Sequence, residues 1–334
     1  MQIKDISVGI IGTGYYVPEK ILTNFDLENM VDTNNEWIVD RTGISERRIA
    51  DENVPTSEIA IHAAENALKN AGVSPEEVDL IIFATLTPDT VIPSAACIIQ
   101  NKLKAVNAAA FDLSAACSGF VYGISVGSQF IKSGMYKKVL VVAAETLSKL
   151  VNWEDRNTCI LFGDGAGAAV LSQVEDGYGI LGIELGADGS GGDFLNVPAS
   201  GSLHPATTKT IEDKLHYIHM NGSEVFKFAI KIMGEAALKS LDVAGLKPND
   251  IDCLIPHQAN IRIIKSAAKR LNLPMDKVVV NVDKYGNTSA ASIPIALSEA
   301  VESGRVKKGD VVVLVGFGAG LTWGSCVMKW AKED

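Results

Sequence analysis

Residues 71–84 read AGVSPEEVDLIIFA, and residues 244–257 read AGLKPNDIDCLIPH. The shared frame is Ala-Gly-x-x-Pro-x-x-x-Asp followed by an apolar run, and the two copies stand 173 residues apart in a chain of 334. An offset near half the length marks an internal duplication. Before each copy lies an Ala/Leu-rich stretch with apolar residues at helical spacing. The apolar run after it reads as a strand, Leu80–Ala84 in one half and Cys253–Pro256 in the other. A second pair agrees: Ser133-Gly134 with Lys137-Lys138 returns 170 residues later as Ser303-Gly304 with Lys307-Lys308. Each leads into a Val/Leu run, 139–143 and 311–315, of the kind buried on both faces of a sheet. Shorter β-rich segments, 167–171 and 325–329, make the expected sheets mixed. The fold class is therefore α/β, with two duplicated halves. The boundary is expected in the Gly- and Asp-rich stretch 177–192, dividing the chain into residues 1–180 and 181–334.

Composition limits the partners. With 30 basic and 40 acidic residues the net charge is −10, and 47% of residues are hydrophobic. Such a chain has the apolar content for a large core and lacks the footprint of a nucleic-acid binder or a binder of anionic membranes. The cysteines, Cys97, Cys117, Cys159, Cys253 and Cys326, are odd in number and widely spaced, with no C-x-x-C. Neither a disulfide framework nor a metal site is expected, and a reducing cytoplasm fits best. Lys4 and Asp5 stand where a signal peptide would need apolar residues. Two uncharged stretches, 113–131 and 311–328, reach membrane-span length, but their serines and glycines mark them as buried core.

In a duplicated α/β chain, equivalent strand ends line a cleft between the halves. Residues 108–114 read as a strand and 117–132 as a helix, which puts Cys117 at the strand-to-helix turn in Ala115-Ala116-Cys117-Ser118-Gly119. Free N–H groups at a helix start favour thiolate over thiol, so this is a position for a nucleophile. Taken alone, a cysteine among alanines is more often an ordinary small core residue. In the other half the strand equivalent to Leu80–Ala84 ends at His257. Asn287, in Tyr285-Gly286-Asn287-Thr288-Ser289, falls beside the counterpart of Cys117. A strand-end histidine or an Asn after Gly is unremarkable alone. Together the three converge on one cleft.

Five motifs, Ala116-Cys117-x-Gly119, Gly163-Asp164-Gly165-Ala166-Gly167, His257-Gln258-Ala259-Asn260, Gly286-Asn287-Thr288-Ser289 and Gly316-Phe317-Gly318-Ala319-Gly320, follow one another in this order. In this the chain resembles the thiolase superfamily, and within it the β-ketoacyl-[acyl-carrier-protein] synthase III family, over nearly its whole length. Asn287 stands where condensing enzymes that elongate long chains carry a second His and thiolases a second Cys. The resemblance implies a layered α/β/α/β/α core and a decarboxylative Claisen condensation of a short acyl-CoA primer with malonyl-acyl-carrier-protein. It makes Cys117, His257 and Asn287 the catalytic set, with the N–H groups of Cys117 and Ala319 as oxyanion hole. Ala319 departs from the glycine the family often has. By the same resemblance Trp37, Arg41 and Arg156 clamp the coenzyme A nucleotide, and no metal or redox cofactor is needed. A related acyltransferase or polyketide starter enzyme would use the same Cys117.

Arg262, Lys265, Lys269 and Arg270 form a basic stripe after His257, with Lys227 and Lys231 a turn apart elsewhere. Such a stripe is equally a solvated helix face. The resemblance makes Lys227, Arg262, Lys265, Lys269 and Arg270 the docking patch for an acidic carrier protein, which a chain of net charge −10 must attract locally. It also implies a homodimer in which the loop 87–94 reaches the partner's acyl pocket, with Ile92, before Pro93, at the floor where family members often carry Phe.

Overall fold

The computed structural model describes residues 6–333. The first half supplies β1 (Val8–Tyr16), α1 (Asn35–Thr42), α2 (Thr56–Ala71), β2 (Leu80–Ala84), α3 (Ala95–Leu103), β3 (Ala109–Leu113), α4 (Gly119–Lys132), β4 (Lys138–Thr146) and β5 (Asp164–Gln173). The second supplies β6 (Gly179–Ala187), α5 (Gly222–Val243), β7 (Cys253–Pro256), α6 (Ile261–Arg270), α7 (Ser292–Glu302), β8 (Val311–Gly318) and β9 (Thr322–Lys329).

The first sheet runs β1-β5-β4-β2-β3 and the second β7-β8-β9-β6. In the first, β2 is parallel to β3 and β4, whereas β5 is antiparallel to β4 and β1. In the second, β7 is parallel to β8, and β9 is antiparallel to β8 and β6. Strand for strand the orders match, save that the counterpart of β3 has shrunk to one bridge, Leu254 to Val278. The expected turns are there too: Asp79 accepts from the Lys137 and Lys138 N–H groups, as Asp252 accepts from that of Val311. The repeat reaches into backbone geometry. Short 3₁₀ turns, Ala116–Ser118 before α4 and Ser289–Ala291 before α7, both open on a left-handed residue, Ala116 at φ +47° and Ser289 at φ +51°.

Burial explains the layers. One face of each sheet packs on α4 and α7: Ile82 and Ala84 of β2 and Ile255 and Leu314 of the second sheet join Phe120, Ile124, Ile293 and Leu297 in one core. The opposite face of the first sheet, with Ile81, Phe83 and Val142, is covered by α2 and α3. The outer face of the second, with Leu254, Val313 and Val327, is covered by α5 and α6. The result is the expected α/β/α/β/α sandwich. Gly12 and Gly14 lie inside β1, where a Cβ would stand 2.5 Å from Ala71 Cβ and 2.3 Å from Ala67 N, so they serve close packing against α2.

Two expectations need correction. The stretch 177–192 is mostly strand β6, the half-buried edge strand of the second sheet; the chain passes between sheets over residues 174–178. The helix expected from Cys117 begins at Gly119, because Ala116–Ser118 forms a 3₁₀ turn. The membrane-length stretches are the β3–turn–α4 unit and the β8–β9 hairpin, and no helix of the described residues is long and apolar enough to cross a membrane.

Candidate active site

Cys117 sits in the 3₁₀ turn between β3 and α4, 7% exposed, against the end of β8. The approach is so close that a Cβ on Gly318 would lie 2.5 Å from Cys117 N, and one on Gly316 3.3 Å from Cys117 O. The Gly-x-Gly of β8 is thus explained by the backbone it touches. Ala319 follows, lining the same cavity as Cys117, and its φ is outside the left-handed region. A residue with a Cβ fits there without strain.

His257 directly follows β7 and is 1% exposed. Its N–H donates to Val315 O at 2.8 Å, and its ring stands edge-on to Phe317 at 5.5 Å. Nδ1 lies 2.6 Å from Ser292 Oγ, which also accepts from the Gln258 N–H at 3.3 Å. A hydroxyl that accepts from a backbone N–H has its own hydrogen free for Nδ1, which leaves the ring proton on Nε2. Burial holds the imidazole neutral, with a pKa of about 3.

Asn287 is fixed on three sides. Its N–H donates to Leu161 O at 2.8 Å, its carbonyl accepts from the Gly163 N–H at 3.1 Å, and its Oδ1 accepts from the Ser289 N–H at 2.8 Å. The side-chain NH₂ is left as the available donor. Beneath this loop the fully buried Arg47 donates to Ile160 O at 2.9 Å and to Asn24 Oδ1 at 3.0 Å, bracing the segment before β5 that holds Asn287.

Cys117 lines two cavities. One, of about 240 Å³, is apolar, walled by Leu86, Leu147, Leu150, Phe162, Leu195 and Ile218. The other, of about 90 Å³, holds His257, Asn287 and Phe317. The three residues singled out from the sequence therefore meet at one point, with an apolar space on one side and two N–H donors on the other.

One expectation about Cys117 fails. Its place before a helix suggested a thiolate, whereas burial pushes the thiol up to about 12, opposed by the Ser289 hydroxyl and aided by the charge of Glu145. Local helix-start geometry is outweighed by the cost of a charge in an apolar cavity. Glu145, fully buried at the end of β4, was missed in the sequence, although a lone acid inside an apolar run was a signal. Ser289 and Ser292 were missed as well.

On the surface, Trp37 on α1 has the Arg41 guanidinium 4.6 Å from its ring centroid and that of Arg156 at 5.5 Å. Arg156 is held by Asp32 O at 2.9 Å. The α6 stripe is exposed but not uniformly free, since Arg262 pairs with Asp40 at 2.9 Å and Arg270 with Glu235 at 3.6 Å; Lys227, on α5, pairs with Glu224 at 2.7 Å. Such surface pairs are worth about 0–1 kcal/mol and exchange readily. Lys265 and Lys269 have no such pair among the described residues. Ile92 is 84% exposed in the loop before α3 and lies away from this chain's own cavity, which takes Leu86 from that loop instead.

Comparison with known proteins agrees with this geometry. Residues 111–189 match the family described as 3-Oxoacyl-[acyl-carrier-protein (ACP)] synthase III, and residues 241–330 match its C-terminal family. The chain is 62% identical over 328 residues to the Beta-ketoacyl-[acyl-carrier-protein] synthase III of Desulfitobacterium hafniense (strain Y51), covering 98% of this chain and 99% of that one. The 3-oxoacyl-[acyl-carrier-protein] synthase III of Aquifex aeolicus VF5 superposes with a TM-score of 0.90 at 51% identity, over 97% of this chain and 100% of that one. The priming β-ketosynthase of the R1128 polyketide pathway superposes with a TM-score of 0.89 at 37% identity, over 97% and 96%. A cysteine placed between an apolar cavity and a His–Asn donor pair, on a duplicated five-layer sandwich and with this degree of identity, makes the chain a member of the β-ketoacyl-[acyl-carrier-protein] synthase III family.

Proposed function

We propose that this condensing enzyme joins a short acyl-CoA primer to malonyl-acyl-carrier-protein through an acyl-Cys117 intermediate, starting fatty-acid synthesis. The observation that carries the reading is the position of Cys117 on both cavities at once. The primer's acyl chain occupies the apolar cavity while Cys117 Sγ attacks the thioester carbonyl and coenzyme A leaves. Trp37, Arg41 and Arg156 hold the nucleotide end, by cation–π contact and hydrogen bonds.

Malonyl-acyl-carrier-protein then enters from the side of α6, where Lys265 and Lys269, with Lys227, Arg262 and Arg270, meet an acidic carrier. Loss of CO₂ leaves an enolate whose oxygen takes hydrogen bonds from His257 Nε2–H and the Asn287 amide. A neutral histidine suits this task, since it donates without needing to be charged. The enolate carbon attacks the acyl-Cys117 carbonyl, and the N–H groups of Cys117 and Ala319 receive the oxyanion. Each such donor is worth about 3–4 kcal/mol where it has been measured.

The two halves divide the labour: the first half carries the nucleophile, the second the donors. The reading includes a homodimer in which Val91 and Ile92, 88% and 84% exposed, enter the partner's acyl cavity, and a cytoplasmic location that suits free cysteines. A polyketide starter would use the same steps with another primer, which the likeness to the R1128 priming ketosynthase favours as the second reading. The test is peptide mass mapping after incubation with acetyl-CoA. An acetyl group on the Cys117 peptide supports the proposal, and an adduct that persists in Cys117→Ala overturns it.

A further inference from the structure

The condensation gives no task to the carboxyl group that lies beside the reactive cysteine. Glu145 is wholly buried, and its Oε2 accepts from Thr87 Oγ1 at 2.8 Å. Both oxygens share the Leu86 N–H, at 3.1 and 3.0 Å, and Thr85 Oγ1 stands 3.2 Å from Oε2 while bonding Ala144 O at 2.8 Å. Oε1 thus has only half of one N–H. No cation pairs with the group among the described residues, so its charged form is poorly supported.

Ser289 lines the apolar cavity with Cys117, and the turn it opens packs both on β4, which carries Glu145, and on the turn that carries Cys117. Its left-handed backbone is anchored through its own N–H to Asn287 Oδ1. Its Oγ is buried and lies in hydrogen-bond geometry with no atom, yet it is near enough to lower the pKa of both the Cys117 thiol and the Glu145 carboxyl. A buried hydroxyl without a partner costs about 1–3 kcal/mol as a static arrangement. It is well suited to a moving one, because a hydroxyl can accept from one neighbour while donating to the other.

We propose that Ser289 and Glu145 form a proton relay to Cys117, in which Glu145 holds the thiol proton for as long as Cys117 carries an acyl group. The proposal rests on the reading of Cys117 as the acyl carrier. During acylation the Cys117 proton passes to Ser289 Oγ as the Ser289 proton passes to Glu145. The bond from sulfur to the primer carbonyl forms, the carbonyl bond to coenzyme A breaks, and the departing thiolate takes a proton from bulk water. During condensation the carbonyl bond to Cys117 breaks, and the sulfur recovers its proton from Glu145 by the reverse shift. One proton from solution is consumed per turnover, balancing the carboxylate lost as CO₂.

The surroundings suit the role. Burial raises Glu145 to about 7, so its protonation can change near neutrality. The neighbouring strand β5 presents Gly165 opposite it, and the nearest acid there, Asp164, is engaged by Ser148 and the Ala50 N–H. Thr85, Leu86 and Thr87 after β2 bring no charge, and the turn before α4 brings Cys117 alone. Glu145 acts only through Ser289, so it positions the proton and does not touch the substrate.

The test is single-turnover acylation by acetyl-CoA, followed by rapid quench and by infrared difference spectroscopy. Wild-type enzyme should gain a protonated-carboxyl band on acylation, and its acylation rate should rise with pH through about 7. Glu145→Gln should lose both the band and the pH step, and Glu145→Gln and Ser289→Ala should each acylate about 10²-fold more slowly. Glu145→Asp should restore part of the rate and the step. The relay is overturned if Glu145→Gln acylates at the wild-type rate with the wild-type pH profile. It is equally overturned if wild-type acylation produces no carboxyl band, a result that needs no variant to fold. An acetyl group absent from Cys117 in the wild type would instead overturn the acyl-carrier reading beneath it.

Discussion

Replacing His257 by Gln should tilt the pH dependence of stability one way, and replacing Glu145 by Gln should tilt it the other. Folded His257 has a pKa of about 3 against 6.5 for the free side chain, because it is buried without a charge partner. Its contribution is whole above pH 6.5 and drains as pH falls toward 3, since the unfolded chain binds a proton the folded one refuses. Glu145 runs opposite: raised from 4.5 to about 7, its contribution is whole below pH 4.5 and drains as pH rises toward 7. Each slope is about 1.4 kcal/mol per pH unit, so between pH 4.5 and 6.5 each amounts to about 3 kcal/mol, and at these two sites they cancel.

The assay is urea unfolding at pH 4.5, 5.5 and 6.5 and one fixed protein concentration, comparing each variant with wild type so that common titrations drop out. Relative to wild type, His257→Gln should lose about 3 kcal/mol as pH rises across this window, Glu145→Gln should gain about as much, and the double variant should run parallel to wild type. A His257→Gln profile parallel to wild type would refute the reasoning. It would mean that folded His257 titrates normally, and a histidine held neutral as an Nε2–H donor would lose its basis.

Three further outcomes follow from the site. Ser292→Ala removes the partner of His257 Nδ1 at 2.6 Å, and should slow malonyl decarboxylation about 5- to 150-fold while sparing acylation; equal slowing of both half-reactions would count against a tautomer-fixing role. Lys265→Ala and Lys269→Ala should raise KM for malonyl-acyl-carrier-protein and leave the acyl-CoA half-reaction unchanged, with the defect shrinking as salt screens the attraction. Ile92→Phe should shift preference toward smaller primers by about 10- to 200-fold in kcat/KM between acetyl- and isobutyryl-CoA. An unchanged preference order would remove Ile92 from the acyl pocket.

Much of the layered fold is written in local pattern. The strands β2 and β7 begin and end where their apolar runs do, because a strand covered on both faces has no polar positions to blur its limits. The Gly-rich stretch 177–192 misled, since its glycines serve an edge strand close to neighbouring backbone: a Cβ on Gly182 would lie 2.3 Å from Ser240 O. The triad was legible because duplication makes strand ends comparable. What was not legible depends on tertiary neighbours. The raised thiol of Cys117 comes from burial, which no spacing encodes, and Ser292 matters only because α7 brings it to His257. The same holds for the α6 stripe, where charge count could not reveal that Asp40 already engages Arg262.

The central claim is that Cys117 carries the acyl group while His257 and Asn287 drive decarboxylation. The most direct measurement starts from enzyme pre-acylated with acetyl-CoA, adds malonyl-acyl-carrier-protein labelled in the free carboxyl, and follows released CO₂ and β-ketoacyl product together. Wild-type enzyme should release one CO₂ per product, and His257→Ala and Asn287→Ala should retain acyl-Cys117 while losing CO₂ release. Undiminished CO₂ release in both variants, or product formed without matching CO₂, would contradict the account.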